Sequence, residues 1–199
     1  AEYAANEAFE VLDNRENSSK REEKVKPIED NVSILFIGVD DSESRGQGAD
    51  NSRSDALILA TLNNKTKTVK TLSIPRDSYV HIPAKGYEDK INHAHAYGGT
   101  IATIDTVEEL LDIPIDYYVR MNFNAFIDVV NALGGIEIEV PYSFVELDEF
   151  ENPVIELKKG YQKLDGSQAL ALARTRKYDS DIERGKRQQE ILKAIAMQA

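Results

Sequence analysis

Apolar residues along the chain fall into two periods. Val32 to Val39 (VSILFIGV) is almost wholly apolar, the pattern of a short strand buried on both faces of a sheet. Ala56 to Leu62 and Thr68 to Ile74 flank the turn sequence Asn63-Asn64-Lys65, which predicts a hairpin. Tyr79 to Ile82, Asp116 to Met121 and Ile136 to Val140 read as further strands. Helical spacing appears from Thr100 to about Asp112, over Asn122 to Leu133 with Phe123, Phe126, Val130 and Leu133 at core positions, and from Gly166 to Ala173. Strands alternating with helices predict an α/β fold, a central mixed β-sheet flanked by helices in a single domain. Gly98-Gly99 and Gly134-Gly135 look like helix ends, since neither follows a strand with the spacing of a phosphate-binding loop. Ala1 to about Asn31 reads as an amphipathic lead-in followed by a charged linker. Pro141 to Leu157, acidic and with little period, reads as an exposed excursion.

The last helix carries a sharper pattern. Ser180 followed by Glu183 is a capping-box sequence, so a helix is expected from there through Glu190 toward Ala199. At about 100° per residue, Asp181, Arg184, Gln188, Ile191, Leu192 and Ile195 share one face, and Glu183, Lys186, Glu190 and Lys193 share the other. The apolar half of the first face must be buried. Arg184 and Gln188 therefore point toward the interior, where a charge needs a partner.

Charge sharpens this expectation. The 199-residue chain has formal net charge -11, yet Arg174 to Arg187 holds six cations against three acids. A local reversal of sign suits an anionic ligand, although internal salt bridges, with Asp181 at hand, account for such clusters more often than not. The acidic balance of the rest disfavours nucleic-acid binding, because phosphate backbones would be repelled by most of the surface. With 41% hydrophobic residues the chain can build a sizeable core, and the absence of cysteine removes disulfides and thiol chemistry. No apolar run approaches 18 residues.

Charged residues also gather at strand ends: Asp40 and Asp41, Arg53 and Asp55, Arg76 and Asp77. Ligands of mixed and open sheets sit at strand ends. Asp55 with Asp40 or its neighbour Asp41 makes a minimal magnesium site, completed by water and phosphate oxygens. Several arginines suit a diphosphate, which they grip in bidentate fashion. His93 and His95 form a His-x-His pair without a third ligand nearby, which reads as ordinary structure rather than as a zinc site.

The motifs GVDD, RSDALILAT, SIPRD, KINHAHAYGG, NFNAFIDVVNALGGIEIEV, LDGSQALALARTR and DIERGKRQQEIL, in that order, resemble the LytR-CpsA-Psr family across about residues 32 to 198. The resemblance implies a membrane-anchored enzyme of mainly Gram-positive bacteria that moves an anionic glycopolymer, such as teichoic acid or capsule, from an undecaprenyl diphosphate carrier to peptidoglycan, forming a phosphodiester. It implies a catalytic domain over residues 32–199 outside the cell, a juxtamembrane stalk over residues 1–31 with a single-pass anchor before it, and an apolar lipid tunnel between sheet and helices. It assigns magnesium, with manganese as an alternative, to Asp40 and Asp55. It assigns the diphosphate to Arg53, Arg76, Lys90, Arg174, Arg176, Arg184 and Gln188, with Arg53, Arg76 and Asp181 in catalysis, Asp181 as the base for the acceptor hydroxyl. Arg187 is expected to support the structure. A polyprenyl-diphosphate phosphohydrolase and a non-catalytic wall-polymer binder are the alternative readings.

Overall fold

A computed structural model describes residue 15 and residues 17–27, 29–39, 52–147, 153–177 and 180–198. Asp40, Asp41, most of the following loop and the N-terminal helix candidate lie outside the described residues. The described chain divides into two compact units between Asn122 and Phe123.

In the first unit, β1 (Val32–Val39), β2 (Ser54–Asn63), β3 (Thr68–Ser73) and β6 (Tyr117–Asn122) form a sheet in the order β3-β2-β1-β6. β2 pairs antiparallel with β1 and β3, and β6 runs parallel to β1, so the sheet is mixed. The expected hairpin is present, and its turn is fixed by Asn63 Oδ1, which accepts from the N–H groups of Lys65 and Thr66 at 3.0 Å each. β1 is less symmetric than its composition suggests. Leu35, Ile37 and Val39 are fully buried while Ile34, Phe36 and Gly38 on the opposite face are half-buried, because strict alternation sends one set into the core. That core also contains Leu57, Leu59, Ile82, Ile91, Ile104 and Ile115.

β4 (Tyr79–Ile82) pairs with β5 (Tyr87–Lys90), a strand that the sequence YEDK did not announce. α1 (His93–Leu111) starts seven residues before the expected Thr100. Gly98 and Gly99 interrupt it, as expected of helix ends, with Gly99 at φ 65, where a side chain would be strained. The lead-in is tied down from Arg15 onward. Arg15 and Ser18 both donate to the buried carboxylate of Glu108, which also accepts the N–H of Ile115 at 2.7 Å. Arg21 grips Asp116 with two bonds of 2.7 and 2.8 Å.

In the second unit, β7 (Ile136–Val140) pairs with β10 (Gly160–Leu164), and β8 (Phe144–Leu147) pairs with β9 (Pro153–Leu157). The stretch expected as an exposed excursion is therefore a hairpin, with Phe144 and Leu157 opposite each other and buried in the core. Strands this short offer too few inward positions to generate a legible period. α2 (Phe123–Ala132), α3 (Gly166–Arg174) and α4 (Asp181–Gln198) complete the unit. α3 opens on a full capping box between Asp165 and Gln168. It lies so close to α2 that a Cβ on Gly166 would sit 2.3 Å from the Ile127 carbonyl oxygen. Among the described residues no helix is long and apolar enough to cross a membrane.

Candidate anion site

Two polar clusters carry the expected site residues, one in each unit. In the first unit the ladder between β1 and β2 slips at their charged ends. Gly38 faces Ala56 and Val39 faces Ser54, so Asp55 is the extra residue of a bulge. Bulges re-aim side chains, and they concentrate beside functional sites. The Asp55 carboxylate, partly exposed, is ion-paired through Oδ1 to Nη1 of Arg76. Arg76 Nε lies 3.9 Å from Asp77, whose other oxygen is 3.1 Å from the Lys90 ammonium. The result is a chain of alternating charge, Asp55–Arg76–Asp77–Lys90, with Arg53 exposed two residues before Asp55. Arg76 and Lys90 thus each stand beside a carboxylate.

The donor chemistry at Asp55 fits magnesium. The carboxylate stands at a bulged strand end, and the β1 strand opposite runs directly into Asp40, which lies outside the described residues. Magnesium needs only one or two carboxylates, the rest of its shell being water and phosphate. Among the described residues no group of three or more His, Cys, Asp or Glu side chains converges, so a site built wholly from protein ligands has no support there. His93 and His95 meet different partners through Nδ1, His93 at Asp89 and His95 at the Ser52 carbonyl.

In the second unit the corner between α3 and α4 gathers the other cations. The Arg174 guanidinium lies 4.2 Å from the centroid of the Phe123 ring, and the Arg174 and Arg176 side chains are exposed. α4 begins as expected, Ser180 Oγ accepting from the Glu183 N–H at 3.3 Å, while the Glu183 carboxylate pairs with Lys186. Arg184 is buried and Lys186 is 65% exposed, as the spacing predicts for these two, whereas Asp181, expected on the inward face, is exposed and Arg187, placed on neither face, is buried. Arg184 also pairs with Asp181 at 3.0 Å, the internal salt bridge that the charge pattern left open.

Arg187 and Gln188 hold the corner together. Arg187 donates to the carbonyls of Leu172 and Thr175 at 3.0 and 2.7 Å, and Gln188 donates to that of Ala173 at 3.2 Å. These carbonyls end α3, where helical partners run out. Burial pushes the Arg187 pKa down, with the Tyr142 ring 5.7 Å from the guanidinium. Asp77 is the member of the first cluster that the sequence reading left out of the site. Its place beside Arg76 in SIPRD was the available signal.

The chain matches the LytR_cpsA_psr family over residues 3–199. It is 50% identical over 194 residues to the polyisoprenyl-teichoic acid–peptidoglycan teichoic acid transferase TagT of Bacillus subtilis, covering 96% of this chain and 60% of the relative. It is 44% identical over 197 residues to the transferase of the same description, TagV, from that organism, covering 96% of this chain and 50% of TagV. A solved structure of TagT bound to LI-WTA superposes with a TM-score of 0.80 at 46% identity, covering 96% of this chain and 72% of that one. TagT with bound octaprenyl pyrophosphate lipid gives a TM-score of 0.77 at 44% identity, covering 96% and 73%. The chain spans about half to three fifths of the length of these curated relatives.

Proposed function

The chain belongs to the LytR-CpsA-Psr family, and from that membership we propose that it transfers an anionic glycopolymer from a polyprenyl diphosphate carrier to peptidoglycan. The observation that carries this reading is the likeness, over 96% of the chain, to TagT bound to LI-WTA. The proposed setting is the outer face of the cell membrane, with a single-pass anchor.

In the proposed reaction a peptidoglycan hydroxyl oxygen attacks the sugar-linked phosphorus of the donor. The new phosphorus–oxygen bond forms as the bond to polyprenyl phosphate breaks, and Asp181 takes the hydroxyl proton. Arg76, ion-paired to Asp55, presents its guanidinium to phosphate oxygens, and Arg53 and Lys90 are assigned to the same oxygens. Orientation established before the donor arrives lowers the cost of organising the transition state. Magnesium at Asp55 and Asp40 would supply further neutralisation of phosphate charge. In the second unit, Arg174, Arg176, Arg184 and Gln188 are assigned to the donor's anionic groups. The apolar tunnel for the prenyl chain belongs to the same proposal.

Arg184 and Lys186 provide a test. Arg184→Ala is expected to weaken donor binding roughly tenfold to a hundredfold, the loss for a charge-assisted bond. Lys186→Ala should stay within about 0.5 kcal/mol of the parent. Titration of both variants with polyprenyl-diphosphate-linked polymer, alongside their melting temperatures, decides between ligand and scaffold roles. A lower melting temperature at Arg184→Ala with unchanged donor affinity would assign the residue to its Asp181 salt bridge alone. The reaction itself is tested by incubating the protein with that donor and glycan fragments, with and without magnesium, and analysing whether polymer becomes covalently joined to glycan.

A further inference from the structure

His95 takes no part in the chemistry proposed above, yet it is only 1% exposed. Its Nδ1 lies 2.7 Å from the backbone oxygen of Ser52. A carbonyl only accepts, so Nδ1 carries the hydrogen. Ser52 is fully buried and immediately precedes Arg53, Ser54 and Asp55. Three residues before His95, the N–H of Asn92 donates to the Arg76 carbonyl at 3.2 Å, and the N–H of Ile91 donates to the Ser78 carbonyl at 2.8 Å. The segment Ile91 to His95 thus holds the backbone beside both members of the Asp55–Arg76 ion pair.

The β1–β2 ladder ends at Val39 and Ser54, and the bulge takes Asp55 out of register. Ser52 and Arg53 lie beyond the last paired residue. A buried carbonyl there needs a donor, and the one from His95 comes from 43 residues away in sequence.

We propose that His95 is a positioning residue: its Nδ1–H bond to Ser52 fixes the segment Arg53 to Asp55 against Arg76. The catalytic consequence rests on the transferase reading, whereas the tether itself does not. A displacement of about 1 Å in such a site can cost on the order of a hundredfold in rate.

Three variants and two readouts test this. His95→Ala should lower kcat for transfer roughly tenfold to a hundredfold, with a smaller change in donor KM. His95→Asn, whose amide nitrogen falls near the place of Nδ1, should recover most of the rate, and His95→Gln, which carries its amide one carbon further out, should not. Hydrogen exchange of the amides of residues 53–55 should quicken in the Ala and Gln variants and stay near the parent in Asn. Equal activity per folded molecule in Asn and Gln, or unchanged exchange in Ala and Gln, would overturn the proposal. A parent protein that transfers nothing, while the exchange pattern holds, would leave the tether standing and remove the transferase reading instead.

Discussion

Asp55→Ala is expected to lose metal-stimulated transfer by at least about a hundredfold, in the range found when one preorganised electrostatic group is removed from a reaction centre, while melting close to the parent. Asp55 keeps partial solvent contact, so the stability lost with its Arg76 pair should be smaller than for a fully buried pair. Two carboxylates are near the minimum for protein-held magnesium, so the loss of one leaves the ion to water and substrate. Asp55→Asn separates two roles of the side chain. The amide keeps an oxygen to accept from Arg76 but removes the charge, so it too should lose metal binding by calorimetry. Unchanged metal affinity in either variant would remove Asp55 from the metal site, and an active Asn variant would leave it only the task of orienting Arg76.

The largest stability loss is expected at Glu108. Its carboxylate is buried and receives Arg15, the Ser18 hydroxyl and the Ile115 N–H together. Glu108→Ala leaves the Arg15 guanidinium, 12% exposed, without its carboxylate and should cost about 3 to 5 kcal/mol. For a chain of this length that lowers the melting temperature by on the order of 10 °C. Glu108→Gln preserves shape and an acceptor oxygen, so it should fall between the two. Thermal unfolding followed by circular dichroism reads the series. A shift under about 2 °C for the Ala variant would mean that the Glu108 cluster contributes nothing measurable to the folded unit.

The residues that sequence reading placed well are those whose position follows from a period. β1 and the β2–β3 hairpin follow from run length and turn residues, and the inward Arg184 and outward Lys186 follow from helical spacing. What escaped has its partner elsewhere. β5, the β8–β9 hairpin and β10 are strands of four or five residues whose existence depends on pairing rather than on alternation. Arg15 and Arg21 sit in a stretch with the composition of a solvated linker, yet they meet Glu108 and Asp116 at separations of 93 and 95 residues. His95 and Gln188 bond to backbone carbonyls, acceptors that every residue carries and that leave no mark in the sequence, and so does Arg187, whose supporting role the resemblance had implied. The alternation of Arg76, Asp77 and Lys90 was visible in part, since SIPRD displayed the first two.

Transfer and hydrolysis differ in which oxygen reaches phosphorus. The most direct measurement is therefore the isotopic composition of the product formed in water enriched with oxygen-18, from polyprenyl-diphosphate-linked polymer and glycan acceptor in the presence of magnesium. The transferase account predicts polymer joined to glycan through a phosphodiester with no oxygen-18 at phosphorus by mass spectrometry. Free polymer ending in an oxygen-18-labelled phosphate monoester, with none attached to glycan, would contradict it.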